Sequence, residues 1–463
     1  MSARLFGSEL LYADLDEASE ELTEVVCLES DLQDGQMMEV EVGRHNVLLA
    51  KSEGVYSATG NQCTHYGAPL SRGVLSGHTV RCPWHGSCFN IWTGDLEEYP
   101  GMDCLPCHKV MDVESDTILL RRMEFFQEND IEVWLSKEAT SMDAEEKTVT
   151  FNDGSVQSYD QLFISTGCRA KGLECPGKDL ENVLMLETPE DARKIHAACM
   201  GARIIIVGTS FVGMEVASYM LDKATSITVI GSSEMPYQKT LGLEIGEVTM
   251  MMLSQKGVKF YMNDNVKEVH GNNGKSYFPL SLPLGVIPNA EFLQSTPIVM
   301  DSKNFVIVDK YMRTNVHDVF CGGDLATFPL TMANNKMVNI GHWQMAQAHG
   351  RIAALNMLKK PTELNSIPYY WTVLLGMNLR YTGYGEGYTD IIIKGRVEEQ
   401  KFLAFYFKND EVIAAASLNY DPAVSAVAER LATGNVITKK EAEYVAKPHP
   451  YLFTTLSLTH HCL

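Results

Sequence analysis

Two short segments of the sequence each carry one cysteine and one histidine at a spacing suited to metal binding. They are Cys63-x-His65 and Cys82-x-x-His85, with sixteen residues between them. Two thiolates and two imidazoles could form a structural zinc tetrahedron. Zinc sites, however, usually take two cysteines or two histidines from one segment, whereas each segment here offers one of each. The crossed order therefore calls for another interpretation beside zinc.

A [2Fe–2S] cluster of Rieske type fits this crossed order, because one of its irons takes two cysteines and the other takes two histidines. We therefore interpret Cys63, His65, Cys82 and His85 as cluster ligands, with zinc as the alternative. Nearby glycines would let backbone N–H groups approach the sulfides and tune the potential: Gly67, Gly73, Gly77 and Gly86.

A second cysteine motif follows shortly afterwards. Cys104-Leu-Pro-Cys107-His108 matches the C-x-x-C-H form of c-type haem attachment. That chemistry requires export and a haem lyase, and the start of the chain shows no export signal. We interpret these cysteines as loop thiols.

Composition sets the broad class. The chain has 463 residues, enough for about three domains. Its formal net charge of −21 argues against nucleic acid or an anionic membrane as the main partner. Eleven cysteines, an odd number, suit reduced thiols and metal ligands better than disulfides. The acidic start resembles no targeting signal, and no apolar run approaches the ~20 residues of a membrane span. We expect a soluble, cytoplasmic protein.

Three changes of pattern predict the elements that must position these residues. Alternation over Met37–Tyr56, then frequent Gly, Pro and Ser, predicts a small all-β module closed by a strand at 117–122. From Ile131, strand-like IEVWL and a hairpin pattern lead into ARIIIVG, an amphipathic FVGMEVASYMLDK and SITVIG, an alternation typical of α/β folds. From Tyr369, aromatic strands precede a helix near Ser425–Thr433, which indicates an α+β domain.

A glycine motif marks a nucleotide site. Gly208-x-Ser210-x-x-Gly213 follows an apolar strand and opens a helix, where free N–H groups and the helix dipole bind phosphate. The alternative is a helix packed on a strand without a ligand. No acid ends the next strand, since Glu234 comes three residues late, so the choice between NADH and NADPH stays open.

Over roughly residues 22–121 the sequence resembles the Rieske ferredoxins, with C-T-H-Y-G-A-P and C-P-W-H-G-S-C-F carrying the match. High-potential members of that family have an additional disulfide, whose positions are Ala68 and Trp84 here. The resemblance therefore implies the lower end of the roughly −150 to +300 mV Rieske range.

Two further segments resemble pyridine-nucleotide flavoprotein oxidoreductases. They are the strand-end Ser165-Thr166-Gly167 and the segment from Thr314 to Asp324, which is similar to the second FAD motif. With the Rieske module, nearly the whole chain resembles Rieske-containing apoptosis-inducing-factor-like flavoproteins. The resemblance implies flavin contacts from Thr166, Gly167, Asp324, His342, Trp343 and Gln344, and nicotinamide-nucleotide contacts from Gly208, Ser210, Gly213 and Glu215. His342 and Trp343 could equally be packing residues.

The chain also departs from that family. Only RMEFFQEND separates the last Rieske strand from IEVWL, which leaves no room for the first FAD-binding β-G-x-G-x-x-G-α-β unit of ~30 or more residues. Between Val266 and Asn289 the strands before the G-x-x-P-N element look largely cut away. The hypothesis is a shortened isoform or an imperfect gene model with impaired FAD binding. No redox thiol pair or other catalytic residue is evident.

The resulting prediction is a multidomain protein: an acidic leader (1–21), a Rieske domain (22–121), an FAD/NAD(P) region (122–360, with its NAD(P) subdomain at about 190–290) and a C-terminal α+β domain (361–463). The resemblance implies that NAD(P)H reduces FAD, which passes electrons to the cluster and on to an unknown acceptor, with a pro-apoptotic role and mitochondrial association. The alternatives are an electron-supplying component of a Rieske-type oxygenase and a non-catalytic redox-sensing or interaction protein.

Overall fold

The computed structural model describes residues 32–42, 45–102, 105, 123–281 and 285–444, and the backbone of three N-terminal strands. Those strands, β1 (Ala3–Leu5), β2 (Leu10–Glu17) and β3 (Glu20–Leu28), form an antiparallel sheet. Two of them lie wholly within the predicted acidic leader.

The Cys/His module, residues 32–102, consists of two antiparallel sheets, as its alternation predicts. One contains β4 (Gln36–Val42), β5 (His45–Ser52) and β6 (Val55–Gly60). The other contains β7 (Val74–Ser76), β8 (Thr79–Arg81), β9 (Cys88–Asn90) and β10 (Leu96–Glu98). Leu48, Leu70 and Phe89 are fully buried between them. The predicted strand at 117–122 and the motif at Cys104, Cys107 and His108 lie outside the described residues.

The middle of the chain alternates strands and helices. Its helices are α1 (Met123–Glu128), α2 (Pro189–Cys199), α3 (Phe211–Tyr219), α4 (Gln238–Gln255) and α5 (Trp343–Met357). Its strands are β11 (Ala139–Asp143), β12 (Thr148–Phe151), β13 (Val156–Ser158), β14 (Leu162–Ile164), β15 (Cys168–Ala170), β16 (Glu181–Leu184), β17 (Arg203–Val207), β18 (Ser226–Gly231), β19 (Lys259–Met262), β20 (Gly271–Asn272), β21 (Lys275–Ser281), β22 (Val286–Pro288), β23 (Val306–Ile307), β24 (Val319–Cys321), β25 (Ala326–Leu330) and β26 (Lys336–Val338).

One parallel sheet and several small sheets organise this region. The order β16-β21-β17-β18-β19 is parallel throughout, and apolar residues of α3 and α4 pack against it. Beside it, β14 pairs in parallel with β24 and with no other strand among the described residues, and β15 pairs with β22. The predicted hairpin is present as β12 and β13, and the predicted strand–helix–strand around Gly208 is β17, α3 and β18.

One prediction for this region is wrong. Ile131–Leu135 forms no strand, and Leu135 is 73% exposed, because an apolar segment becomes a strand only where a neighbouring strand supplies hydrogen bonds. Of the strands before Pro288, which the sequence indicates are largely cut away, β21 is present and pairs with both β16 and β17. The nucleotide sheet therefore keeps this strand.

The C-terminal domain, residues 369–444, is one antiparallel sheet covered by helices. Its strands, in the spatial order β27-β28-β31-β30-β29, are β27 (Tyr369–Leu374), β28 (Met377–Gly383), β29 (Asp390–Arg396), β30 (Lys401–Lys408) and β31 (Glu411–Leu418). The predicted late helix is α6 (Ala423–Ala432), followed by α7 (Lys439–Tyr444). Across the described part of the chain, no helix combines the length and apolar character that crossing a membrane requires.

Candidate functional site

The two predicted ligand segments fold into loops with the same backbone hydrogen bonds. In the first ligand loop (63–68) and the second (82–87), the cysteine N–H donates to the carbonyl five residues later, at 2.9 and 2.7 Å. The glycine four residues after each cysteine, Gly67 or Gly86, donates back to the cysteine carbonyl at 2.8 and 3.2 Å. Both glycines have positive φ, +71° and +78°, which favours glycine at these positions. The two loops therefore share one pattern of backbone hydrogen bonds around their cysteines.

The four side chains form one pair of thiols and one pair of imidazoles. The Nδ1 atoms of His65 and His85 face each other at 3.0 Å. The hydrogen bond to the Cys82 thiol lowers the pKa of Cys63 to about 7, while burial raises the pKa of Cys82. Burial lowers the pKa of His65 to about 4 and that of His85 to about 3, so both imidazoles are neutral at neutral pH.

A single metal ion and a two-iron cluster would require different arrangements of these two pairs. Within the ranges that the structure describes, no three His, Cys, Asp or Glu side chains form a single-ion site. A zinc tetrahedron would need all four ligands around one point. A [2Fe–2S] cluster needs two protein ligands on each iron, since bridging sulfides complete the coordination. One thiol pair and one neutral imidazole pair match that requirement.

The imidazole pair packs against aromatic side chains of the rest of the chain. The ring centroid of Trp371, on β27, lies 4.7 Å from that of His85 and 5.6 Å from that of His65. Trp343 lies 6.3 Å from His65, and His342 lies 4.9 Å from Trp371. Two predicted flavin contacts are thus close to the predicted cluster ligands.

The glycine motif has the geometry of a phosphate-binding turn. Gly208 follows β17 with φ +122°, and Ser210 is the N-cap of α3. Gly213 is buried in the first turn of that helix. The Glu215 carboxylate accepts a hydrogen bond from Thr372 Oγ1 at 2.5 Å, and burial raises its pKa. The motif therefore contacts the C-terminal domain through Glu215.

The predicted flavin residues divide into two groups. Thr166 and Gly167, after β14, are bonded to Asn289: the Asn289 side chain donates to the Thr166 carbonyl at 3.0 Å, and its N–H donates to the Gly167 carbonyl at 3.0 Å. Asp324 lies beside Gly341, the residue before His342, and burial raises the pKa of the Asp324 carboxyl. A half-buried carboxylate of this kind fits a hydroxyl-bearing ligand such as the ribityl chain.

The neighbouring helix α5 positions the remaining predicted flavin residues. His342 is its N-cap, with Nδ1 accepting from the Gln344 N–H at 3.3 Å. Gln344 is 2% exposed, and its side chain donates to the Ile367 carbonyl at 3.2 Å. Gln344 is thus a buried residue that contacts the segment before β27. Trp343, 43% exposed, lies on the side of the imidazole pair.

An apolar cavity of about 320 Å³ lies next to Thr166. Residues from the β11–β13 hairpins and from β14 line it, among them Val149, Phe151, Tyr159 and Phe163. In a parallel sheet that binds a dinucleotide, the strand before the phosphate-binding glycine turn belongs to the same sheet as the other strands around the ligand. A strand such as β14, which ends just before Thr166, would therefore be expected to have such a strand in its sheet. Here β14 has only β24 as a neighbour among the described residues.

Sequence reasoning missed four residues around the ligand loops. Trp371, Arg380 and Ser425 of the C-terminal domain contact the second ligand loop or its histidine, and Arg81 connects that loop to α6. The sequence could have indicated Arg81, because this residue directly precedes the predicted ligand Cys82. The other three lie more than 280 residues from the loop in sequence, so no local pattern connects them to it.

Comparison with known proteins identifies the family to which the chain belongs. Residues 59–350 match the family described as pyridine nucleotide-disulphide oxidoreductase, and 369–449 match the reductase C-terminal family. Mouse apoptosis-inducing factor 3 is 39% identical over 515 aligned positions, covering 90% of this chain and 85% of the relative. The ferredoxin–NAD(+) reductase subunit of a Pseudomonas putida benzene 1,2-dioxygenase system is 26% identical, covering 70% and 80%. The fold resembles the covalent putidaredoxin reductase–putidaredoxin complex, with TM-score 0.69 and 20% identity over 73% of this chain and 85% of that one.

Proposed function

Because the chain belongs to the pyridine nucleotide-disulphide oxidoreductase family and is thus an NAD(P)H-dependent flavoprotein oxidoreductase, we propose that its electrons pass to a Rieske [2Fe–2S] cluster in the same chain. The cluster ligands would be Cys63 and Cys82 on one iron and His65 and His85 on the other. Such a cluster accepts one electron at a time, which FAD can supply after taking a hydride from the nicotinamide.

The contact between the imidazole pair and Trp371 carries this proposal. Trp371 lies between the two histidines and His342, with ring-centroid distances of 4.7 to 5.6 Å. His342 is in turn next to Gly341, which adjoins Asp324. The predicted flavin site and the predicted cluster site are therefore joined through packed side chains. Intramolecular transfer would need no docking of a separate ferredoxin.

Separate sets of residues would bind the nicotinamide nucleotide and FAD. Gly208, Ser210 and Gly213 would receive the nicotinamide-nucleotide pyrophosphate at the N-terminus of α3, and Glu215 lies one turn further. Thr166, Gly167 and Asp324 would contact FAD, with His342 and Trp343 near its reactive ring. The domain boundaries 22–121, 122–360 and 361–463 belong to this proposal as well.

We infer that the first FAD-binding unit is missing. The alignment with mouse apoptosis-inducing factor 3 extends over 515 positions, more than the 463 residues of this chain, so the chain lacks segments that the relative has. The two-stranded β14–β24 sheet and the apolar cavity beside Thr166 agree with a missing neighbour. FAD would then bind weakly, and a shortened isoform or an imperfect gene model would explain the sequence.

Visible absorption of the anaerobically purified chain, before and after NADH, tests the proposed function. Cluster bands that bleach with NADH once FAD is added are the expected result. Cluster bands that NADH and added FAD leave unchanged would refute electron transfer by this chain and favour the non-catalytic redox-sensing or interaction role. Absence of cluster bands with zinc bound would refute the cluster itself.

A second candidate is supply of electrons to an oxygenase, which the Pseudomonas putida dioxygenase-system relative favours. The chain would then reduce a separate oxygenase through the cluster. Reduction of a purified Rieske oxygenase by NADH in the presence of this chain would support it. A pro-apoptotic role is suggested by the name of the mouse relative alone.

A further inference from the structure

The second ligand loop is held by two domains. Within the Cys/His module, Arg81 Nη1 donates to the Gly86 carbonyl at 3.0 Å. From the C-terminal domain, Ser425 Oγ donates to the Cys82 carbonyl at 3.2 Å, and Arg380 Nε donates to the Trp84 carbonyl. Alternate carbonyls along the loop therefore each accept from a side chain.

These donors are buried and fixed by partners of their own. Ser425 is fully buried in the first turn of α6, and its Oγ lies 2.9 Å from the Tyr369 hydroxyl. Because Ser425 gives its one proton to Cys82, Tyr369 must donate to Ser425. Arg380 is 2% exposed and bonded to Asp421 at 2.5 Å. Such a chain of buried hydrogen bonds permits few other arrangements.

Close packing, in addition to the hydrogen bonds, holds the second ligand loop against the C-terminal domain. The Tyr369 ring packs against Gly86 so closely that a Cβ there would lie 2.8 Å from ring carbons. Val74 of the module shares a core with Tyr369 and with Val427 of α6. Arg81 extends the contact, bonding to Glu98 in the module at 2.9 Å and to Glu429 on α6 at 3.1 Å. The first ligand loop differs, because its described hydrogen bonds come from its own module.

We propose that Tyr369, Ser425 and Arg380 are positioning residues for the cluster, so that the C-terminal domain completes the second ligand loop and holds the module in one docked position. This inference rests on the proposed function. It assigns to the C-terminal domain a role in retaining the cluster and setting its electronic structure. A ferredoxin that docks transiently would have no such requirement.

Ser425→Ala tests the proposal, and Ser417→Ala is its matched control. Ser417 is equally buried in the same domain, but its Oγ has no hydrogen-bond partner among the described residues. Ser425→Ala removes the buried hydrogen bond to the Cys82 carbonyl as well as the one from Tyr369. Loss of the bond to the loop should raise loop opening about fivefold, so iron should pass from this variant to a chelator about fivefold faster. Its reduced EPR spectrum should also have shifted g-values. Ser417→Ala should match the wild type in both.

Equal iron release and unchanged g-values in the two serine variants would overturn the proposal. Tyr369→Phe serves if Ser425→Ala does not fold, because it keeps the ring and removes only the donor to Ser425; Tyr381→Phe, whose hydroxyl accepts from the Gly385 N–H, is its control. A g-value shift in Tyr369→Phe but not in Tyr381→Phe supports the proposal, and identical spectra refute it. A wild-type chain without iron or an EPR signal would instead refute the proposed function.

Discussion

The surroundings of the cysteine and histidine pairs differ sharply from the flavin region, residues 139–170 and 286–357. Around the pairs, Arg81 is buried and bonded to two carboxylates and to the Gly86 carbonyl. In the flavin region, β14 has one neighbouring strand among the described residues, and a cavity of about 320 Å³ lies beside it. Among the described residues, packed side chains from two domains thus surround the cysteine and histidine pairs, whereas β14 borders a cavity.

The largest difference in iron content is expected between variants of His85 and His342, which both pack against Trp371. His85→Ala removes a proposed iron ligand, and we expect complete loss of cluster iron and of the EPR signal. His342→Ala leaves all four ligands in place and should keep the iron. Iron analysis of both purified variants measures this. A His85→Ala protein with normal iron content would disprove the assignment of the ligands.

Arg81 near the cysteine and histidine pairs and Lys147 in the flavin region should differ in how much their ion pairs contribute to stability. Arg81→Met would leave Glu98 and Glu429 without their buried partner and should lower the free energy of unfolding by about 3–5 kcal/mol. Lys147→Met breaks the pair with Asp318 in the flavin region and should have a much smaller effect, because water screens that pair. Urea unfolding of the two variants makes the comparison. Equal losses of unfolding free energy in the two variants would contradict the conclusion that the buried Arg81 contributes more to stability than Lys147.

The two ligand loops allow a comparison at matched glycines. Gly67→Ala and Gly86→Ala both place a side chain at positive φ, which costs about 1–2 kcal/mol. Only at Gly86 does the new Cβ meet the Tyr369 ring, whereas open space surrounds Gly67. We expect Gly86→Ala to lose iron faster than Gly67→Ala, because overpacking against the Tyr369 ring costs about 1–3 kcal/mol more. Equal iron loss in both variants would argue that the module is not docked.

The smallest effect is expected at Asp324. If the first FAD unit is missing, purified chain should hold little FAD, and Asp324→Asn should change flavin and iron contents only slightly. Flavin released by heat denaturation, counted per chain, gives the measurement. A wild-type chain with one FAD, lost in Asp324→Asn, would mean that the flavin site is complete.

Local patterns predicted the elements and motifs that depend on neighbouring residues. The strand–helix–strand around Gly208 is of this kind and forms as β17, α3 and β18. The crossed cysteine–histidine spacing is also a local pattern, and the histidines of the two segments lie side by side. The strand expected at Ile131–Leu135 is absent because strand formation depends on a partner elsewhere. Contacts such as Ser425 with Cys82 join residues 343 positions apart, which periodicity cannot reveal.

EPR spectroscopy of the anaerobically purified, dithionite-reduced chain, with iron and flavin counted on the same sample, tests the central claim most directly. The account predicts a Rieske-type signal, two irons per chain as a [2Fe–2S] cluster contains, and FAD well below one per chain. One FAD per chain with neither iron nor a Rieske signal would contradict it.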